Sequence, residues 1–192
     1  MSRIFVKKER VINAAPENVY AVLSDYKSRR PQMLTPNFLN YRVEKGGKGD
    51  GTVISYRLRA ANRERAYEMR VNEPVKGEVI TESDSGSSLV TTWALSPLNN
   101  GQQTKVRVSS EWEGGTGVRG FFERTFAPLG LRGIYGNMLD SLLTLTGASA
   151  TSVTAVQGEE GSPASNAAVS LLIFGIVIGV AYGISLLRKN QR

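Results

Sequence analysis

Proton-transfer chemistry has few side chains to draw on in this chain. Its 192 residues include no histidine and no cysteine, so the usual neutral-pH acid/base, the usual imidazole metal ligand and the thiolate nucleophile are all missing. What remains is Glu68, Glu82 and Glu111 as carboxyl groups and Tyr56 and Tyr67 as phenols, with Arg57 or Arg70 as cations able to steady an oxyanion. The run Gly46-Gly47-Lys48-Gly49-Asp50-Gly51 lacks both the Gly-Lys-Ser/Thr ending and the strand-to-helix setting of a phosphate cradle. Its glycines read as turn geometry, and neither a cofactor nor a metal is implied.

These side chains must be positioned by strands. Arg3 to Asn13 alternates Val/Ile with charged residues and reads as a first strand ending at Ala14-Ala15-Pro16. Pro16 and Glu17 then open a helix whose Val19, Val22, Leu23 and Tyr26 fall at i, i+3, i+4 and i+7. Pro31 and Pro36 stop it, with room for a short helical turn over Ser28 to Leu34. Asn37 to Lys45 and Thr52 to Ala60 form a hairpin about Asp50-Gly51, and four further strands follow at Arg63 to Asn72, Gly77 to Ser83, Ser88 to Leu95 and Thr104 to Trp112. Short connections predict an antiparallel meander. Residues 117 to 147 read as a long helical region with an apolar stripe, kinked at Pro128 and Gly130. The fold class is α+β.

Period two sorts the faces of the strands. Ile54, Tyr56 and Leu58 share one side, as do Tyr67, Met69 and Val71, then Leu89, Thr91, Trp93 and Leu95, then Thr104, Val106, Val108, Ser110 and Trp112. Glu68 and Glu111 fall on the opposite side. Inward sets that mix large apolar groups with hydroxyls suit a cavity for an amphipathic ligand, with a closed core as the competing reading.

The formal charge is +7, and the excess is concentrated: over residues 1 to 72, 15 Lys/Arg stand against 7 Asp/Glu. A basic half suits an anionic lipid surface, with a solvated face as the plain alternative. Scattered arginines without a recognition motif argue against nucleic acid. Ala167 to Leu187 is 21 residues without a charge, long enough at about 1.5 Å per residue to span roughly 30 Å of hydrocarbon. The sequence therefore divides into a domain at 1–147, a Ser/Ala/Gly-rich linker at 148–166, a transmembrane helix at 167–187 and a basic tail at 188–192. Gly175, Gly179 and Gly183 repeat every fourth residue and would permit a homodimer through that helix. The N-terminal stretch lacks the apolar core of a secretory signal, so a tail-anchored protein with its domain facing the cytoplasm is expected. The basic residues after the span favour the reverse orientation by the positive-inside rule.

Strand, two short helices, six-stranded meander and long C-terminal helix is the element order of the helix-grip fold. Four stretches carry a resemblance to the SRPBCC or START-like superfamily, in its polyketide-cyclase and lipid-transport branch. They are VINAAPENVYAVLSDY, the hairpin GGKGDGTVISYRL, TTWALSPLNNGQQTKVRVSSEW and the closing FFERTFAPLGLRGIYGNMLDSLLTL. The resemblance implies a curved antiparallel sheet gripping the C-terminal helix, with an apolar cavity between them. In this chain Tyr56, Tyr67, Met69, Trp93, Val108 and Trp112 would line it from the sheet, and Phe122, Phe126 and Met138 from the helix. The implied function is binding or transfer of a hydrophobic small molecule such as a lipid, isoprenoid, quinone or polyketide. A cyclase or hydratase working in the same cavity is the alternative.

Overall fold

A computed structural model of the chain describes residues 3–60, 63–115 and 127–147. Seven strands form one antiparallel sheet: β1 Arg3–Ile12, β2 Phe38–Lys45, β3 Val53–Ala60, β4 Arg63–Val75, β5 Val79–Asp84, β6 Val90–Leu98 and β7 Gln103–Glu113. Their order is β1-β7-β6-β5-β4-β3-β2, so the last strand of the meander returns to pair with the first. Among the described residues the helices are α1 Pro16–Leu23 and α2 Ala127–Leu145, and a 3-10 turn spans Arg30–Met33.

One face of the sheet is covered and the other is wet, and the strands obey period two accordingly. β5, and β6 as far as Leu95, alternate strictly between buried and half-buried positions. The covered face carries Met69 and Val71, Ile80, Trp93 and Leu95, and Val106 and Val108, closed over by Val19, Val22 and Leu23 of α1 and Ile134, Met138, Leu139 and Leu142 of α2. Register slips on β2 between Leu39 and Arg42, and on β4 between Asn72 and Val75, interrupt the ladders. Asn40 takes the left-handed conformation at the first slip, φ 54°. Such bulges bend and twist a strand, and they curve this sheet toward its helix.

Helix α1 ends earlier than its apolar spacing predicts. Ser24 makes the last helical bond to Tyr20, after which Asp25 bridges Lys48 and the Tyr26 N–H donates to the Gly47 carbonyl at 3.0 Å. Tyr26 is still fully buried, but from the loop. The glycine-rich β2–β3 connection is geometric, as expected: Gly46, Gly47, Gly49 and Gly51 all have positive φ. At Gly49 an added Cβ would stand 2.8 Å from the Glu73 carboxylate, so the turn folds closely onto β4. Helix α2 is continuous from Ala127 to Leu145 through Gly130, Gly133 and Gly136, and Pro128 falls in its first turn, where no N–H is required.

Among the described residues no helix is long and apolar enough to cross a membrane. Phe122 and Phe126, the linker at 148–166, the expected span Ala167 to Leu187 with Gly175, Gly179 and Gly183, and the tail at 188–192 lie outside the described residues.

Candidate functional site

Between the covered face of the sheet and α2 lies a cavity of roughly 630 Å³, within the range of sites that enclose drug-sized ligands. Most of its wall is apolar. Ile54, Tyr56 and Leu58 come from β3, Trp93 from β6, and Leu131 and Met138 from α2. The Phe38 and Tyr56 rings pack at 5.0 Å and the Tyr56 and Tyr67 rings at 5.6 Å, giving one side a continuous aromatic surface. Towards the rim stand the exposed residues Glu64, Arg65 and Ser88, with the Arg65 guanidinium 5.1 Å above the Tyr67 ring.

The far end is polar. The 3-10 turn delivers Arg30 into the interior, where it pairs with Glu82 of β5 and donates to the Leu23 carbonyl at 3.1 Å. The guanidinium lies between two rings, 4.8 Å from Tyr26 and 4.7 Å from Trp93. Tyr26 donates its hydroxyl to Glu82 Oε1 at 2.8 Å. Burial works against the Arg30 charge, but the Glu82 carboxylate together with Tyr26, Tyr41 and Tyr56 outweighs it and holds the guanidinium protonated. Desolvation, reinforced by the Glu82 charge, pushes the Tyr56 phenol well above its ordinary value, so it is a neutral hydroxyl.

A second polar feature adjoins the ion pair. Glu82, Thr91 and Ser110 are cross-strand neighbours on β5, β6 and β7. Thr91 and Ser110 share a hydrogen bond of 2.6 Å, and Ser110 and the Tyr135 hydroxyl of α2 share another of 2.5 Å. Two of the hydroxyls in the inward sets, Thr91 and Ser110, thus form one hydrogen-bonded row with Tyr135 that ties the sheet to the helix, while Thr104 donates to the Ala14 carbonyl at 2.7 Å.

Of the residues expected on the wall, Tyr56, Tyr67, Trp93, Trp112 and Met138 line the cavity. Met69 and Val108 share the inward face but are fully buried in the surrounding core and do not line the cavity. Glu68 is exposed on the far side of the sheet, and Glu111 pairs with Arg3 at 3.5 Å on the surface. Arg57 and Arg70 also stay outside, Arg57 bound to Glu64 at 3.3 Å. The guanidinium inside belongs to Arg30, which sequence reasoning missed. Nothing in Ser28-Arg29-Arg30-Pro31 separates Arg30 from Arg29; the available signal was Glu82, which shares parity with Ile80 and so needs a buried cation. Among the described residues no cluster of acidic groups could hold a metal ion.

Comparisons with known proteins agree with this architecture. Residues 3–146 match the family model described as polyketide cyclase / dehydrase and lipid transport. No curated protein matches the chain. The solution structure of the KanY protein is similar at 38% identity and TM-score 0.68, covering 77% of this chain and 100% of that one. The Zhui aromatase/cyclase from Streptomyces sp. R1128 is similar at 14% identity and TM-score 0.63, covering 76% and 94%. A START superfamily protein from Mycobacterium smegmatis aligns at 15% identity and TM-score 0.52, covering 73% and 92%. The last two likenesses are of fold alone.

Proposed function

Because the chain belongs to the polyketide cyclase / dehydrase and lipid transport family, we propose that it binds and carries a hydrophobic small molecule, of lipid, isoprenoid, quinone or polyketide type, in the cavity between sheet and helix. The observation that carries this reading is the cavity itself: roughly 630 Å³, aromatic and aliphatic along its length, and polar at its inner end. A ligand that buries about 250 Å² of apolar surface there gains about 6 kcal/mol before ordering costs are subtracted.

The stretch Ala167 to Leu187 serves, in this reading, as a membrane tail that keeps the cavity beside the lipid phase from which its ligand partitions, with the domain on the cytoplasmic side. A flexible linker of about twenty residues reaches roughly 25 Å, about one domain diameter. Pairing of two tails through Gly175, Gly179 and Gly183 is compatible with this arrangement.

A second reading, a cyclase or hydratase, is favoured by one feature. Glu82 is a carboxylate on the cavity wall with the Tyr56 phenol on the same wall, a base and a proton donor within one apolar enclosure. Solvent extraction and mass spectrometry of the full chain purified under native conditions tests the two readings. A carrier yields a bound hydrophobic molecule, and the same molecule is recovered unchanged after incubation; an enzyme returns it changed by the mass of water, lost in a dehydrative cyclisation or gained in a hydration. A chain that neither arrives loaded nor takes up any apolar compound contradicts both.

A further inference from the structure

The inner end of the cavity is polar but electrically balanced, and the balance decides which head group it accepts. Arg30 contributes one positive charge and Glu82 one negative, bound to each other and sealed to 2% and 6% exposure. Both hydrogen bonds that Glu82 receives, from Arg30 and from Tyr26, fall on Oε1. Oε2 has no hydrogen-bond partner among the described residues. It is also not one of the sealed unpartnered atoms, which are Ser24 Oγ and Trp93 Nε1. With Glu82 on the cavity wall, that oxygen therefore faces the void.

The Tyr56 hydroxyl is in the same position: on the wall, without a partner among the described residues, and not sealed. By contrast Tyr135 and Tyr41 are satisfied, the first by Ser110 and the second by the Tyr26 carbonyl at 2.8 Å. These two atoms are open to the cavity, one an obligate acceptor and the other a hydroxyl able to give or take a proton. A ligand with a carboxylate, phosphate or ammonium head placed at this inner end would bring a charge that the balanced Arg30–Glu82 pair does not neutralise, and burying an unpaired ion is heavily penalised.

Resting on the binding reading above, we infer that the cavity selects uncharged, hydroxyl-headed ring compounds of the phenol, enol or cyclic-alcohol class, the hydroxyl donating to Glu82 Oε2 beside the Tyr56 hydroxyl, and that it rejects the corresponding acids. The aromatic wall of Phe38, Tyr56 and Tyr67 supplies the surface for the ring system.

Three probes with one ring system separate the terms: 2-naphthol, 2-methoxynaphthalene and 2-naphthoate, each titrated into the full chain at neutral pH with binding read by calorimetry. The naphthol is expected to bind about tenfold or more tightly than the methyl ether, which cannot donate, and more tightly still than the naphthoate. Tyr56→Phe, which leaves the ion pair intact, narrows the gap between naphthol and ether several-fold. Glu82→Gln removes the negative partner, leaves Arg30 uncompensated and reverses the preference towards the naphthoate. Naphthoate binding the unaltered protein as tightly as naphthol overturns this inference while leaving the cavity a binding site. Absence of binding by all three overturns the binding reading and this inference together.

Discussion

Arg30 and Glu82 stand 52 residues apart in sequence and meet inside the protein as an ion pair, the guanidinium held between the rings of Tyr26 and Trp93. The pair joins the 3-10 turn to the middle of the sheet and forms the inner wall of the cavity. Its role in stability and its role in recognition are separable by mutation.

Removing one member leaves a buried charge without its partner. Arg30→Ala or Glu82→Ala is expected to cost about 3–5 kcal/mol, whereas the double substitution Arg30→Met with Glu82→Leu, which replaces the pair by apolar groups of similar size, recovers most of that loss. Urea unfolding of the three variants checks this. Single substitutions costing under about 1 kcal/mol would mean that the charges are solvated rather than sealed.

The glycines of α2 offer a gain. Gly133 is an exposed residue within the helix, and an added Cβ there meets no atom within 4 Å. Gly133→Ala should stabilise the protein by about 0.5–1 kcal/mol through helix propensity alone and leave ligand uptake unchanged. Thermal unfolding measures the first part and a binding titration the second; a destabilised variant would show that this face of the helix is covered.

Alkaline pH should unfold the protein in a defined window. Burial, aided by Glu73, pushes the Tyr20 phenol up to about 12, and burial raises Tyr26, Tyr41, Tyr56 and Tyr135 as well. Unfolded tyrosines ionise near pH 10. Above that pH the folded state holds more protons than the unfolded state, so stability is complete below about pH 10 and is lost as the pH rises towards and past about 12. Tyrosinate absorbance followed alongside circular dichroism tests this: the five phenols should ionise together with loss of structure. Their ionisation near pH 10 in an intact fold would contradict the buried placement.

Much of the architecture was legible because period two and turn chemistry are local signals. The parity of Trp93 with Thr91, and of Val108 with Ser110, put those residues on the covered face before any contact was known. What parity cannot do is tell core from cavity wall on one face. Met69 and Val108 share that face with Tyr56 and Trp93, yet packing encloses the first two and leaves the others on the void. The sequence was also silent on Arg30, since a buried cation is chosen by the loop that carries it inward, and that loop is fixed by the Asp25–Lys48 bridge and the Tyr26–Gly47 hydrogen bond. Helix α1 stops short for the same reason: a tertiary contact outweighed about two turns' worth of apolar spacing.

The acidic residues divide by face. Glu68→Gln and Glu111→Gln alter groups on the outside of the sheet and should leave ligand affinity within about twofold, while Glu82→Gln changes it by about tenfold or more. Parallel titrations of the three variants decide this, and a large effect at Glu68 or Glu111 would move the site to the opposite face.

The chain holds two tryptophans, Trp93 and Trp112, and both line the cavity, so intrinsic fluorescence reports occupancy of this site. Gly130 faces the same space from α2, and a Cβ placed there comes no nearer than 4.0 Å to its neighbour, Ala60. A phenylalanine at that position therefore has room to enter and fill the void. Titration of the unaltered chain and of Gly130→Phe with 2-naphthol, followed by tryptophan quenching, is the most direct measurement. Saturable one-site quenching in the unaltered chain, weakened about tenfold or more in the filled variant, is the predicted result; equal quenching in the two, or none in either, would contradict a ligand-binding interior.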